Sequence, residues 1–223
     1  MGGGEQDDGS RAATVIKTAL AMNATGINQG KSGNVSLRDA SGTALLITPS
    51  GVAYEDLTPR DIVRVRLDDG QAEGALLPSS EWHMHRDIYQ AHGGAQAVVH
   101  THSTFATALA CRREAIPAFH YMVAVAGGHD IRCADYATFG SQALSDHMLA
   151  ALRDRTACLL ANHGMICFAG SADKALGLAV EVETLARQYW HARQQGEPVI
   201  LEGAEMDRVL EKFKTYGKQP DRS

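Results

Sequence analysis

The stretch Gln96-Ala97-Val98-Val99-His100-Thr101-His102 decides how this chain is read. It is a short strand-like run, and the small-residue segment Ser103 to Cys111 that follows it is predicted as a helix. In a strand, side chains at i and i+2 leave the same face, so His100 and His102 can reach one ion. The run Val98-Val99 argues for a deeply placed strand end, where two imidazoles need a partner. A strand feeding a helix, in a 223-residue chain of 44% apolar residues, implies a sheet covered by helices.

The flanking sequence agrees with that architecture. Ala13, Ile16 and Leu20, with Ala12, Ala19 and Met22, predict an amphipathic helix from Arg11 that ends in the turn-rich run Gly26 to Gly33. Asn34 to Leu37 and Ala44 to Thr48 read as short strands around a Ser41-Gly42 turn, and Ile62 to Leu67 alternates apolar and polar residues. Pro78-Ser79-Ser80-Glu81 opens a helix to about Ala91, with a serine available as N-cap. Further on, a helix is predicted from Ser141 to Arg153, then an apolar strand from Thr156 to Ile166 interrupted by Asn162-His163-Gly164. A long helix from Ser171 or Asp173 to about Gln194 and a short one from Met206 to Lys214 complete the pattern. No repeat or low-complexity break divides the chain. The expectation is one α/β domain whose sheet is mainly antiparallel, because the early strands are short and hairpin-like. Residues 1–10 are expected to be a disordered tail, 11–217 the domain and 218–223 a flexible tail.

Lys and Arg total 21 against 26 Asp and Glu, a net charge of −5 that argues against nucleic acid or an anionic membrane as partner. No apolar run approaches the roughly 18 residues that would span a bilayer. The opening Met1 to Asp8 lacks the basic and apolar regions of a signal peptide. The cysteines, Cys111, Cys133, Cys158 and Cys167, form no CxxC pair, which suits reduced thiols and a cytoplasmic location.

Ten histidines are the unusual feature. His83 and His85 also form an H-x-H, but on a helix positions i and i+2 point about 200° apart. They cannot share a ligand and are read as surface or packing residues. His163, within the apolar run and before Gly164, is the candidate third partner of His100 and His102. Three neutral imidazoles with an open fourth position suit catalytic zinc. His92, His120, His129, His147 and His191 show no such partnership. Glu81 stands in the first turn of its helix behind two serines, where free N–H groups bind anions such as phosphate; it also reads simply as a residue that complements the helix dipole. Gly33-Asn34 and Ser50-Gly51 are loops where a backbone can approach an anion closely.

Gly30 to Leu37 (GKSGNVSL), Ile47 to Gly51 (ITPSG), Pro78 to Trp82 (PSSEW), Val99 to His102 (VHTH) and Asn162-His163-Gly164 occur in the order of the class II aldolase/adducin family, which this chain resembles. Ala115 to Gly128, Tyr136 to Gly140 (YATFG) and Leu210 to Gly217 (LEKFKTYG) are similar to the bacterial L-fuculose-1-phosphate aldolases within it. The resemblance covers essentially everything after residue 10.

It implies one Zn²⁺ per subunit, replaceable by Co²⁺ or Mn²⁺, on His100, His102 and His163. Glu81 would occupy the fourth position without substrate and then swing away to act as acid/base, with Tyr121 as a second catalytic residue. Asn34, Ser50, Gly51, Ser79 and Ser80 would hold phosphate, and Phe139, Phe213 and Tyr216 would shape an aldehyde pocket. The implied reaction is reversible cleavage of a ketose 1-phosphate, like L-fuculose 1-phosphate, to dihydroxyacetone phosphate and a small aldehyde such as L-lactaldehyde, through a metal-stabilised enediolate. The implied assembly is a homotetramer with active sites between subunits, Tyr121 serving its neighbour's site; the segment around Tyr121 also reads as an ordinary buried turn. Competing readings are an aldolase for 5-deoxypentulose or methylthioribulose 1-phosphate, a sister epimerase or dehydratase, and a non-catalytic adducin-like binding module.

Overall fold

Alternation along the strands sorts the apolar residues onto two faces of one sheet. In the computed structural model, which describes residues 2–215, with side chains from residue 7, the strands are β1 (Asn34–Arg38), β2 (Ala44–Ile47), β3 (Val63–Arg66), β4 (Ala72–Glu73), β5 (Ala97–Thr101), β6 (Cys133–Ala134), β7 (Ala157–Leu160) and β8 (Gly164–Ala169). They form one eight-stranded sheet in the order β4-β3-β2-β1-β5-β8-β7-β6. Every pairing is antiparallel except β6 with β7. The expected α/β architecture with a mainly antiparallel sheet is what the chain adopts.

The helices are α1 (Gly2–Ala24), α2 (Trp82–Ala91), α3 (Thr104–Cys111), α4 (Gln142–Ala151), α5 (Ala172–Gln194) and α6 (Gly203–Phe213). Val35, Leu37, Val99, Met165 and Cys167 point to the face covered by α1, α3, α5 and α6. Leu45, Ile47, Val98, Ile166 and Phe168 point to the other face, beneath α2 and α4. Each Leu or Ile so buried contributes ~1.5–3 kcal/mol, which is why both sheet faces hold helices. Asp87 joins the two helices of the second face: its Oδ2 accepts from Ser145 Oγ at 2.6 Å and Gln142 Nε2 at 2.8 Å.

Three expectations need correction. The segment 1–10 is not a disordered tail from Gly2 onward but the start of α1. Asp7 pairs with Arg11 at 3.1 Å, and Asp8 Oδ1 accepts from the Ala40 N–H at 2.9 Å, which ties this end of the helix to the turn after β1. The run Thr156 to Ile166 is not one interrupted strand but the β7–β8 hairpin, and His163 sits in its turn. The N-cap of α2 is Glu81 rather than a serine; Ser79 Oγ instead accepts from the Glu81 N–H at 3.3 Å. The expected C-terminal tail, 218–223, lies outside the described residues.

A candidate metal and anion site

The register of the sheet builds the site. Asn34 of β1 is the cross-strand partner of His100 of β5, so both project on one face beside the start of α2. His102 follows β5 by one residue, and the β7–β8 turn delivers His163 from the other side. Two glycines allow this closeness. A Cβ on Gly164 would lie 2.6 Å from the Thr101 carbonyl and 2.9 Å from His102 Cδ2; one on Gly33 would lie 2.6 Å from the His100 carbonyl.

Glu81, His100, His102 and His163 bring four ligand atoms within 4.8 Å of one another. His100 Nε2 lies 3.1 Å from Glu81 Oε2, and His163 Nε2 lies 2.9 Å from Glu81 Oε1. His100 Nδ1 is 2.8 Å from the Met165 carbonyl, to which only an N–H can bond, so the Nε2 lone pair of neutral His100 faces the cluster. His102 Nε2 lies 3.0 Å from His100 Nε2. Two imidazole lone pairs at that separation repel unless a proton or a cation lies between them. Glu81 Oε1 is buried and without a hydrogen bond. Three imidazoles and one carboxylate, itself with an orphaned buried oxygen, converge on one point and fit a divalent metal such as zinc.

The electrostatics match. Burial would raise the Glu81 pKa, but the positive character of the neighbouring His100 and His163 imidazoles outweighs it and holds the carboxyl well below its usual range. Burial, together with the positive character of His100 and His163, lowers His102 to about 4. His85 is pushed down to about 3, again chiefly by burial, and its ring is neutral.

Around this cluster the loops 48–51 and 77–81 are knitted together. Ser50 N–H donates to the Leu77 carbonyl at 3.0 Å and Ser79 N–H to the Thr48 carbonyl at 3.1 Å. That places Ser50, Gly51, Ser79 and Ser80 on one rim. Asn34 joins them from beneath, its Nδ2 donating to Glu81 Oε2 at 3.0 Å. Lys31, which sequence reasoning passed over, also reaches this rim and donates to the Gly51 carbonyl at 2.7 Å. A cavity of about 310 Å³ opens here, lined among others by Ser80, Glu81, His102, Phe139 and His163.

Not every expected site residue meets there. Tyr121, half exposed at the start of the 3-10 turn Tyr121–Ala126, lines a separate apolar groove of about 700 Å³ with Phe119, Leu201, Val209 and Phe213. Phe139 and Phe213 therefore line different pockets of the protomer. Tyr216 lies outside the described residues. His85, expected as a surface or packing residue, is fully buried and also hydrogen-bonded to Asn34. The signal that could have found it is its spacing from Glu81, i to i+4, which puts both on one helical side.

Comparison with known proteins bears on this site. Residues 13–190 match the family model described as the class II aldolase and adducin N-terminal domain. A 5-methylthioribulose-1-phosphate/5-deoxyribulose-1-phosphate aldolase of Rhodospirillum rubrum is 53% identical over 94% of this chain and 95% of its own length. An L-fuculose phosphate aldolase of Escherichia coli K12 is 48% identical over 92% of this chain and 95% of its own. A solved structure of L-fuculose 1-phosphate aldolase superposes with a TM-score of 0.88 at 41% identity, covering 92% of this chain and 96% of that one. No helix among the described residues is long and apolar enough to cross a membrane.

Proposed function

The chain belongs to the class II aldolase and adducin family, and on that premise we propose that it is a metal-dependent aldolase acting on a ketose 1-phosphate in the cytoplasm. The observation that carries the reading is the convergence of Glu81, His100, His102 and His163 beside loops suited to an anion. A purely binding module has no need of such a cluster. In this reading His100, His102 and His163 hold the ion, Zn²⁺ by the chemistry of the donors, and Glu81 completes the set without substrate. A divalent metal there supplies a Lewis acid that draws electrons from the C2 carbonyl.

The protein's own groups account for the rest. Asn34, Ser79 and Ser80 donate hydrogen bonds to phosphate, with the Ser50-Gly51 backbone closing the rim. In the condensation direction the Glu81 carboxylate takes a proton from C3 of dihydroxyacetone phosphate. C3 then bonds to the aldehyde carbon, and the oxygen that becomes the C4 hydroxyl receives its proton from Tyr121. Cleavage is the reverse. Tyr121 and Phe213 share a groove apart from the metal cluster of their own protomer, which supports a homotetramer in which they complete a neighbour's site. Phe139, in the metal pocket, would then meet the neighbour's Phe213 and Tyr216 at the aldehyde end.

L-Fuculose 1-phosphate, giving L-lactaldehyde, is the substrate the sequence motifs favour. The 53% identity to the Rhodospirillum enzyme favours a second reading, a 5-methylthio- or 5-deoxypentulose 1-phosphate. Both share the dihydroxyacetone phosphate half, so the site's polar groups serve either. The deciding experiment is a kcat/KM comparison across a panel of ketose 1-phosphates, with dihydroxyacetone phosphate release coupled to NADH oxidation. Turnover of none of them, in metal-loaded tetramer, would overturn the aldolase reading.

A further inference from the structure

His85 lies fully buried between α2 and β1, and both of its ring nitrogens have partners. Nδ1 is 2.7 Å from Ser36 Oγ, and Nε2 is 2.5 Å from Asn34 Oδ1. The direction of each hydrogen bond follows from the Glu81 end of the chain of contacts. A carboxylate oxygen only accepts, so the Asn34 atom 3.0 Å from Glu81 Oε2 is the amide nitrogen. The Asn34 carbonyl oxygen then faces His85 and also only accepts, so the hydrogen of the neutral ring sits on Nε2. His85 Nδ1 is left as an acceptor for the Ser36 hydroxyl. The Tyr89 hydroxyl closes the far end, 2.9 Å from both Ser36 Oγ and the Ser36 carbonyl.

We propose that His85 is a positioning residue that sets the face Asn34 shows to the pocket. By holding the Asn34 carbonyl, its Nε2–H turns the Asn34 amide hydrogens toward Glu81 and the anion rim. Without that hydrogen bond the amide can rotate by half a turn and present a carbonyl where a donor is needed. His85 itself reaches neither the metal cluster nor the rim. Its influence passes through one side chain, and that makes the assignment testable. The proposal rests on the aldolase reading only for the identity of the anion.

Two measurements on the full-length protein test it. The first is ¹⁵N NMR of histidine-labelled wild type, in which His85 is expected as the neutral Nε2–H tautomer at neutral pH. An Nδ1–H tautomer or an imidazolium overturns the proposal. The second is calorimetric binding of dihydroxyacetone phosphate to wild type, His85→Leu, His85→Gln, Asn34→Ala and the Asn34→Ala/His85→Leu double variant. His85→Leu is expected to weaken binding about tenfold with metal content unchanged. His85→Gln, whose amide can donate to the same carbonyl, should stay within about threefold of wild type. In the Asn34→Ala background His85→Leu should change binding by less than about twofold, because the two residues act as one unit. Additive losses, or a glutamine variant as weak as the leucine one, overturn the proposal. If wild type itself fails to bind dihydroxyacetone phosphate, the aldolase reading fails, and the tautomer measurement still decides the role of His85. If a melting curve shows His85→Leu to be unfolded, the tautomer measurement and the His85→Gln variant decide the role of His85.

Discussion

Asn34 and His100 are cross-strand partners in the antiparallel β1–β5 ladder. This one pairing sets the amide that contacts Glu81 beside an imidazole of the metal cluster. The candidate anion side and the candidate metal side of the site are therefore parts of one sheet register, and neither can shift without the other.

Loss of a cluster imidazole should remove the metal. In His102→Ala, metal per chain by plasma mass spectrometry is expected to fall from about one to far below one, since the ligands hold the ion jointly. Stoichiometric, tightly bound metal in that variant would refute the assignment.

Glu81→Gln should retain shape and phosphate binding yet lose proton exchange. The rate of solvent deuterium incorporation at C3 of dihydroxyacetone phosphate is expected to drop by about 10² or more. Undiminished incorporation would point to another base.

Gly164→Ala tests the closeness of the hairpin turn to β5. A methyl 2.6 Å from the Thr101 carbonyl must displace backbone next to His102. A loss of ~1–3 kcal/mol in denaturant unfolding is expected, with weakened metal binding. Gly177→Ala on α5, where a Cβ meets nothing within 4 Å, should instead stabilise by up to ~1 kcal/mol.

Asp87 provides a pH-dependent contribution. Burial would raise its pKa, but hydrogen bonds from Ser145, Gln142 and Arg86 and the charge of Arg86 lower it below the ordinary 3.8. A carboxyl depressed in the folded state adds stability above its unfolded pKa and loses it as pH falls through the folded one. Asp87→Asn should therefore be less stable than wild type by ~1–3 kcal/mol near neutrality, with the gap closing below about pH 4. A gap independent of pH would sink this account.

If active sites are shared between neighbours, inactive His102→Ala and Tyr121→Phe proteins should complement one another. In a random one-to-one mixture of reassembled tetramers about a quarter of the sites would be intact. Mass spectrometry would verify mixing, and no recovered activity in proven mixed tetramers would remove the shared site.

Much of this was legible in the linear sequence. Spacing of two in a strand placed His100 and His102 on one face, because the pleat alternates whatever the rest of the fold does. Hairpin-like runs foretold the antiparallel sheet, and helix periodicity located α2 through α6 to within a few residues. On a helix His83 and His85 point apart and cannot share a ligand, but that spacing says nothing about what either meets alone. Only the packing of α2 on β1 puts His85 against Asn34. Likewise only the β7–β8 hairpin carries His163 to Glu81, across 82 positions of sequence, and only the tertiary structure parts Phe139 from Phe213. Periodicity records what a residue's own element does with its side chain. Which partner that side chain meets depends on register and layer packing, which bring together residues far apart along the chain.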